Sequence, residues 1–186
     1  MNKHRYQGDI ERLRYSERLA RLEVGRVIAL TLDSETIQSV LDIGTGTGVF
    51  AEAFMKHGLK VIGLDANPKM LEVARQHIPS ISFHEGVAET LPYKDNAFDL
   101  VFMGLVLHET DDSLQALQDA ARVARTRIAI LEWAYREEEF GPPLDERING
   151  EEMDKLAHQV GLLVARNLPL EHLMLYLIEK PYACNG

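Results

Sequence analysis

The sequence predicts an α/β fold: one domain on a mostly parallel sheet of about seven strands, the last reversed, with helices on both faces. Three observations carry this. Short apolar runs of strand length alternate with amphipathic stretches of helical length through most of the 186 residues. The first run, Val40-Leu41-Asp42-Ile43, passes straight into a glycine-rich turn and then an amphipathic stretch. The last two runs are separated only by the short Leu168-Pro169-Leu170 connection, which leaves no room for a crossover helix and implies antiparallel pairing at that edge.

The elements follow in order. Leu19, Leu22, Val24, Val27, Ile28 and Leu30 give residues 16–32 one apolar face, which predicts a helix. Gly44 to Gly48 is the turn, and Val49 to His57 a helix stopped by Gly58. Lys60 to Leu64 is a second strand, ending at Asp65. Pro68 opens the next helix, where its missing N–H costs nothing, with Asn67 as the natural N-cap. Ile81 to His84 is a third strand, and Phe98 to Leu105, almost free of polar residues, a fourth and buried one. Asp111 and Asp112 suit the positive end of a helix running through Val123. Ile128 to Trp133 is the fifth strand. Tyr135 to Asn149, with Glu137-Glu138-Glu139 and Gly141-Pro142-Pro143, reads as a long loop beside the site. Glu151 to Val160 is helical, and Leu162 to Asn167 and Leu173 to Glu179 close the chain as strands.

Composition narrows the function classes. Hydrophobic residues are 46% and charged residues 26%, as in ordinary globular proteins. The length fits a single domain over 1–186, with 1–35 as a helical cap and 36–186 as the core. No apolar run approaches the roughly 18 residues of a membrane helix. Met1 to Gly8 is polar and basic, unlike a secretory signal, so the expected compartment is the cytoplasm, with no membrane partner. A net charge of −9 argues against a nucleic-acid partner. The single cysteine, Cys184, makes no disulfide or Cys-rich metal site, and no metal is expected. Lys3, His4, Arg5, Arg12, Arg14, Arg18, Arg21 and Arg26 concentrate positive charge in the first segment, either as a solvated helical face or as a lid that attracts an anionic substrate.

The turn after the first strand carries the chemistry. Glycines there let a ligand approach the main chain, and the following helix turns its free N–H groups toward it. The spacing is G-x-G-x-G, because Val49 stands where the dinucleotide fingerprint G-x-G-x-x-G needs its third glycine. Asp42 just before the glycines is a second departure from that fingerprint. Asp65, ending the second strand, can accept both hydroxyls of a ribose and so points to an adenosine-bearing ligand.

Leu41-Asp42-Ile43-Gly44-Thr45-Gly46-Thr47-Gly48, Gly63-Leu64-Asp65, Ala88-Glu89-Thr90-Leu91-Pro92-Tyr93, Phe98-Asp99-Leu100-Val101 and Leu105-Val106-Leu107-His108 occur in one order. In that order the chain from Val40 to Glu132 resembles the class I methyltransferases dependent on S-adenosylmethionine (SAM), in particular the methyltransferase type 11 group. The resemblance implies a Rossmann-like fold, SAM as cofactor and S-adenosylhomocysteine as product. It implies that Asp42 and Gly44, Thr45, Gly46 and Gly48 hold the methionine end. Asp65 would hold the ribose, with Ala66 and Met70 near the adenine, Ala88 and Glu89 at its edge, and Met103 and Gly104 beside the sulfonium. Val87 stands where relatives often carry an aspartate that meets the adenine amino group. His108 is the candidate catalytic base, Glu132 and Tyr135 shape the mouth, and Tyr6 is a candidate aromatic over the sulfonium. The expected reaction is direct in-line methyl transfer to an unidentified small-molecule acceptor, by a monomer or homodimer. A non-catalytic SAM-binding sensor or assembly module is the alternative, and a nicotinamide-dependent oxidoreductase a more distant one.

Overall fold

The computed structural model describes residues 8, 10–33 and 36–180. Seven strands form one sheet: β1 (Ser39–Ile43), β2 (Lys60–Asp65), β3 (Ser82–Glu85), β4 (Phe98–Gly104), β5 (Ala124–Trp133), β6 (Val164–Pro169) and β7 (Leu173–Glu179). Their order is β3-β2-β1-β4-β5-β7-β6. The first five pair in parallel, and β7 runs antiparallel to both of its neighbours. The reversed strand is therefore internal: β7 inserts between β5 and β6, and β6 forms the edge.

Among the described residues six α-helices flank the sheet: α1 (Ser16–Arg21), α2 (Val24–Thr31), α3 (Val49–Lys56), α4 (Pro68–His77), α5 (Ser113–Val123) and α6 (Gly150–Gln159). Side-chain alternation divides each central strand between two faces. Leu41, Val101, Met103 and Ile128 meet α5 and α6 through Leu117, Ala120, Met153 and Ala157. Val40, Leu100, Phe102 and Leu131 meet α2 and α3 through Ile28, Phe50 and Phe54. Phe83 is in register with Gly63 and Asp42, on Val40's face, and there α4 covers it with Leu71 and Ala74. The β3–β4 connection has no helix, and instead buries Ala88 and Leu91 against the first face. Burial on both faces is why the strands read as near-continuous apolar runs.

Three boundaries differ from the sequence reading. The helix expected over 16–32 is split at Glu23, whose φ of 44° is left-handed. Its carboxylate accepts from the Glu171 amide at 2.7 Å and from Arg26 at 2.9 Å, so attachment to the β6–β7 connection outweighs helical continuity. Strand β5 begins at Ala124, directly after α5, because Ala124 pairs with Phe98. The long loop contains a 3₁₀ turn, Leu144–Glu146, before the Asn149 side chain caps α6 by accepting from the Glu152 amide at 2.9 Å. No helix of the described residues is long and apolar enough to cross a membrane.

Arg127 ties the N-terminal helices to the sheet. It is 1% exposed on β5. It donates to the carbonyls of Thr31 and Asp33 at 2.6 and 3.1 Å, and its Nε to Glu179 on β7 at 2.8 Å. Removing it strands these acceptors without a donor, so Arg127→Ala should lower unfolding free energy by about 2–3 kcal/mol. Urea denaturation measures this, and an unchanged midpoint would show that the contacts contribute nothing.

Candidate active site

A cavity of about 350 Å³ opens at the carboxyl ends of β1, β2 and β4, within the range of small-molecule sites. Its floor is the turn after β1. Gly44 and Gly46 have φ of 66° and 55°, angles that side-chain-bearing residues rarely adopt. A side chain at Gly44 would collide with Val106, whereas a Cβ at Gly46 would enter open space. Asp65 holds this turn in place. One carboxylate oxygen accepts from the Gly46 amide at 2.8 Å and the other from the Asn67 amide at 2.8 Å. A carboxylate has about four lone-pair sites, so acceptor capacity remains for a ligand.

Asp42 lies deeper, 2% exposed, and accepts from the Thr45 hydroxyl at 2.6 Å. Burial pushes its pKa up to about 7, the Thr45 hydroxyl and the Ala51 amide pull it down, and the charge of Asp65 raises it. Thr47 Oγ1 is buried, lines the same cavity and has no hydrogen-bond partner among the described residues.

A second cavity, of about 620 Å³, adjoins the first; Arg18, Leu22, Leu105 and Glu109 line both. Leu105, just past β4, has a φ of 58°. Such strain in a residue with a side chain marks a functional position often enough to be informative. Trp133, Phe140 and Tyr15 give the second cavity aromatic walls. His108, 5% exposed in its side chain, also lines it. Its Nδ1 lies 2.7 Å from Glu132 Oε2, and its backbone amide donates to Glu132 Oε1 at 3.2 Å. Burial lowers the His108 pKa, but the charge and hydrogen bond of Glu132, with Glu109 and Glu146 adding to them, leave it raised.

A model of a methyltransferase domain matches residues 41–127. A demethylmenaquinone methyltransferase of Chlorobaculum parvum is 38% identical over 95 residues, covering 50% of this chain and 39% of that protein. An uncharacterized methyltransferase of Bacillus subtilis is 32% identical over 126 residues, 64% of this chain and 49% of that protein. The chain thus spans half or less of the length of these relatives. A SAM-dependent methyltransferase from Aquifex aeolicus, 24% identical, superposes with a TM-score of 0.82 over 91% of this chain and 96% of that one, and shows the same fold.

Over residues 41–127 the chain is thus similar to this methyltransferase family. These similarities make SAM the group to test against the cavity. The residues present fit that group: a glycine cradle open at Gly46, two acids on the cavity wall and a buried hydroxyl, Thr47 Oγ1, without a partner among the described residues.

Of the residues singled out for the cofactor, Asp42, Gly44, Thr45, Gly46, Asp65, Ala66, Met70, Ala88, Glu89 and Gly104 line the first cavity. Gly48 and Met103 do not. Gly48 has a φ of 81°, and a Cβ there would press on Ile78 and Phe83, so its small size serves packing beneath the turn. Met103 is fully buried on the face covered by α5 and α6. The Glu89 carboxylate accepts from the Asp111 amide at 2.8 Å, which braces the approach to α5. Val87 lines the cavity, 37% exposed. Tyr135 is 52% exposed and lines neither cavity. Tyr6 and Cys184 lie outside the described residues.

Sequence reasoning missed the contribution of the N-terminal helices, Leu13, Arg18 and Leu22, to the first cavity, and the pairing of Glu132 with His108. No local signal announces either, because each partner is distant in the chain. Because Glu132 raises the His108 pKa, Glu132→Gln should lower it. NMR titration of the His108 ring protons measures the shift, and an unmoved midpoint would refute the coupling.

Proposed function

We propose that this protein transfers a methyl group from SAM to a small-molecule acceptor by direct in-line displacement. The observation that supports the reading best is the junction at Leu105 of two cavities, one lined by the glycine turn with Asp42 and Asp65, the other by aromatic walls and His108. Bound SAM supplies an activated methyl on a positively charged sulfur. The chain's task is then to position two ligands and exclude water between them.

In this reading Asp65 accepts the ribose hydroxyls, already oriented by the Gly46 and Asn67 amides. Asp42 and the turn from Gly44 to Thr47 face the methionine end. Ala66 and Met70 pack beside the adenine, Ala88 and Glu89 border it, and Gly104 lies near the reacting sulfur. The N-terminal helices cap the junction with Leu13, Arg18 and Leu22. Several relatives are named for demethylmenaquinone, and a ring-bearing acceptor suits the walls made by Trp133 and Phe140. The pairing of His108 with a buried carboxylate favours catalysis over a role as a SAM sensor.

Calorimetry tests the cofactor. SAM and S-adenosylhomocysteine should bind and NAD should not, and Asp65→Ala should weaken both adenosyl ligands at least tenfold. Binding of NAD alone would sink the proposal. Asp42 adds a pH signature. Its carboxyl is protonated below a pKa of about 7, and only the ionised form attracts an ammonium group. Affinity for S-adenosylhomocysteine should therefore rise from about pH 6 to about pH 8. Asp42→Asn should flatten that rise, and a profile unchanged in the variant would remove Asp42 from the ammonium site.

A further inference from the structure

We propose that the second cavity takes an aromatic acceptor bearing an ionisable hydroxyl, and that His108 Nε2 removes the hydroxyl proton while Glu132 holds the imidazole in place. The inference rests on the methyltransferase reading and names the acceptor class for it.

The geometry at His108 separates the two ring nitrogens. Nδ1 is committed to Glu132, 2.7 Å away and 1% exposed in its side chain. A carboxylate accepts, so Nδ1 carries the proton and Nε2 of the neutral ring carries the lone pair. Nε2 has Glu109 at 3.9 Å, beyond hydrogen-bond reach, and Glu109 lines both cavities. The backbone of His108 is bonded to the same Glu132 carboxylate, so ring and main chain are fixed together. This is the arrangement of a base with an orienting acid behind it.

The cavity's other groups select the acceptor. Trp133 and Phe140 give the cavity an aromatic wall, with the Arg21 guanidinium over the Phe140 ring, and Arg147 stabilises that wall. Arg147 is 4% exposed, lies over the Trp133 ring and donates to the carbonyls of Ala134, Arg136, Phe140 and Pro142 at 2.7–3.0 Å. The loop is thus a built wall, and an aromatic ring is what such a wall receives.

The charged groups facing His108 are Glu132 from β5, Glu109 from its own turn and Glu146 from the long loop. Arg12, Arg18, Arg21 and Glu17 line the same cavity from the N-terminal helices. Its three arginines are matched by Glu17, Glu109 and Glu146, so an acceptor carrying a permanent negative charge gains no net attraction. A carboxylic acid would arrive ionised and need no base. An aromatic amine is neutral at pH 7 and has its own lone pair, and a thiol ionises near neutrality. A phenolic hydroxyl, with a pKa near 10 as in tyrosine, is the class for which a fixed neutral imidazole is useful.

The step balances. The acceptor O–H bond breaks and its proton goes to His108 Nε2. The oxygen's electron pair forms the new bond to the methyl carbon, and the carbon–sulfur bond breaks with its pair left on sulfur as a neutral thioether. The proton on His108 returns to solvent when the products leave. The raised His108 pKa makes Nε2 of the neutral ring a stronger proton acceptor.

The test uses 4-nitrophenol, whose ionisation is visible, added to the full chain saturated with S-adenosylhomocysteine. Bound nitrophenol should show phenolate absorbance at a pH below that at which the free compound ionises. His108→Gln should return the midpoint to that of free nitrophenol, and Glu132→Gln should move it part of the way. Unchanged binding of S-adenosylhomocysteine in both variants shows that they are folded. With SAM in place of S-adenosylhomocysteine, the product should be the methyl ether, and His108→Gln should lower kcat/KM about 10²- to 10⁴-fold while removing the acidic limb of its pH profile. Binding of S-adenosylhomocysteine without any binding of nitrophenol, or one midpoint shared by wild type and His108→Gln, would overturn the inference alone. Failure of S-adenosylhomocysteine to bind would overturn the methyltransferase reading with it.

Discussion

The geometry of the site depends on one carboxylate. Asp65 ends β2, yet its two oxygens reach the Gly46 amide in the turn after β1 and the Asn67 amide at the start of α4. Backbone amides are rigid donors, so this pair of bonds locks two loops that share no covalent connection within 19 residues. The glycines make it possible. At Gly44 a side chain would strike Val106, and the backbone angles of Gly44 and Gly46 belong to the left-handed region. Asp42, one strand over, is buried behind the same turn and feels the charge of Asp65. The result is a preformed, acid-lined cradle at the point where parallel strands present their carboxyl ends.

A second layer of organisation comes from buried cations. Arg127 fastens α2 to the sheet, and Arg147 gathers four carbonyls of the long loop. Each guanidinium saturates main-chain oxygens that a loop cannot pair by itself. The N-terminal helices and the loop therefore stand as walls around the two cavities. The junction between the cavities falls at Leu105, where the chain leaves β4 in a strained conformation.

Much of this was legible in order along the chain. The G-x-G-x-G turn, Asp65 at a strand end, Asn67 ahead of Pro68 and the apolar run of β4 all have local causes, and each sits where its chemistry requires. The legible part of the site is the part built from short stretches around single turns. Two expectations in the same region fared differently for a packing reason. Gly48 and Met103 lie next to cavity residues in sequence, but the turn points Gly48 at Ile78, and Met103 is fully buried in the core packed against α5 and α6.

The sequence by itself determined the strand–turn–helix periodicity, the two acids and the glycine spacing, because these arise from neighbouring residues and from backbone angles that only certain side chains permit. Tertiary structure decided what no local rule encodes. It placed β7 inside the sheet with β6 at its edge, and it broke the first helix at Glu23 to reach Glu171. It set Glu132 behind His108 across 24 residues. Each of these is a long-range pairing, chosen by which buried polar groups find partners once the two faces of the sheet are covered.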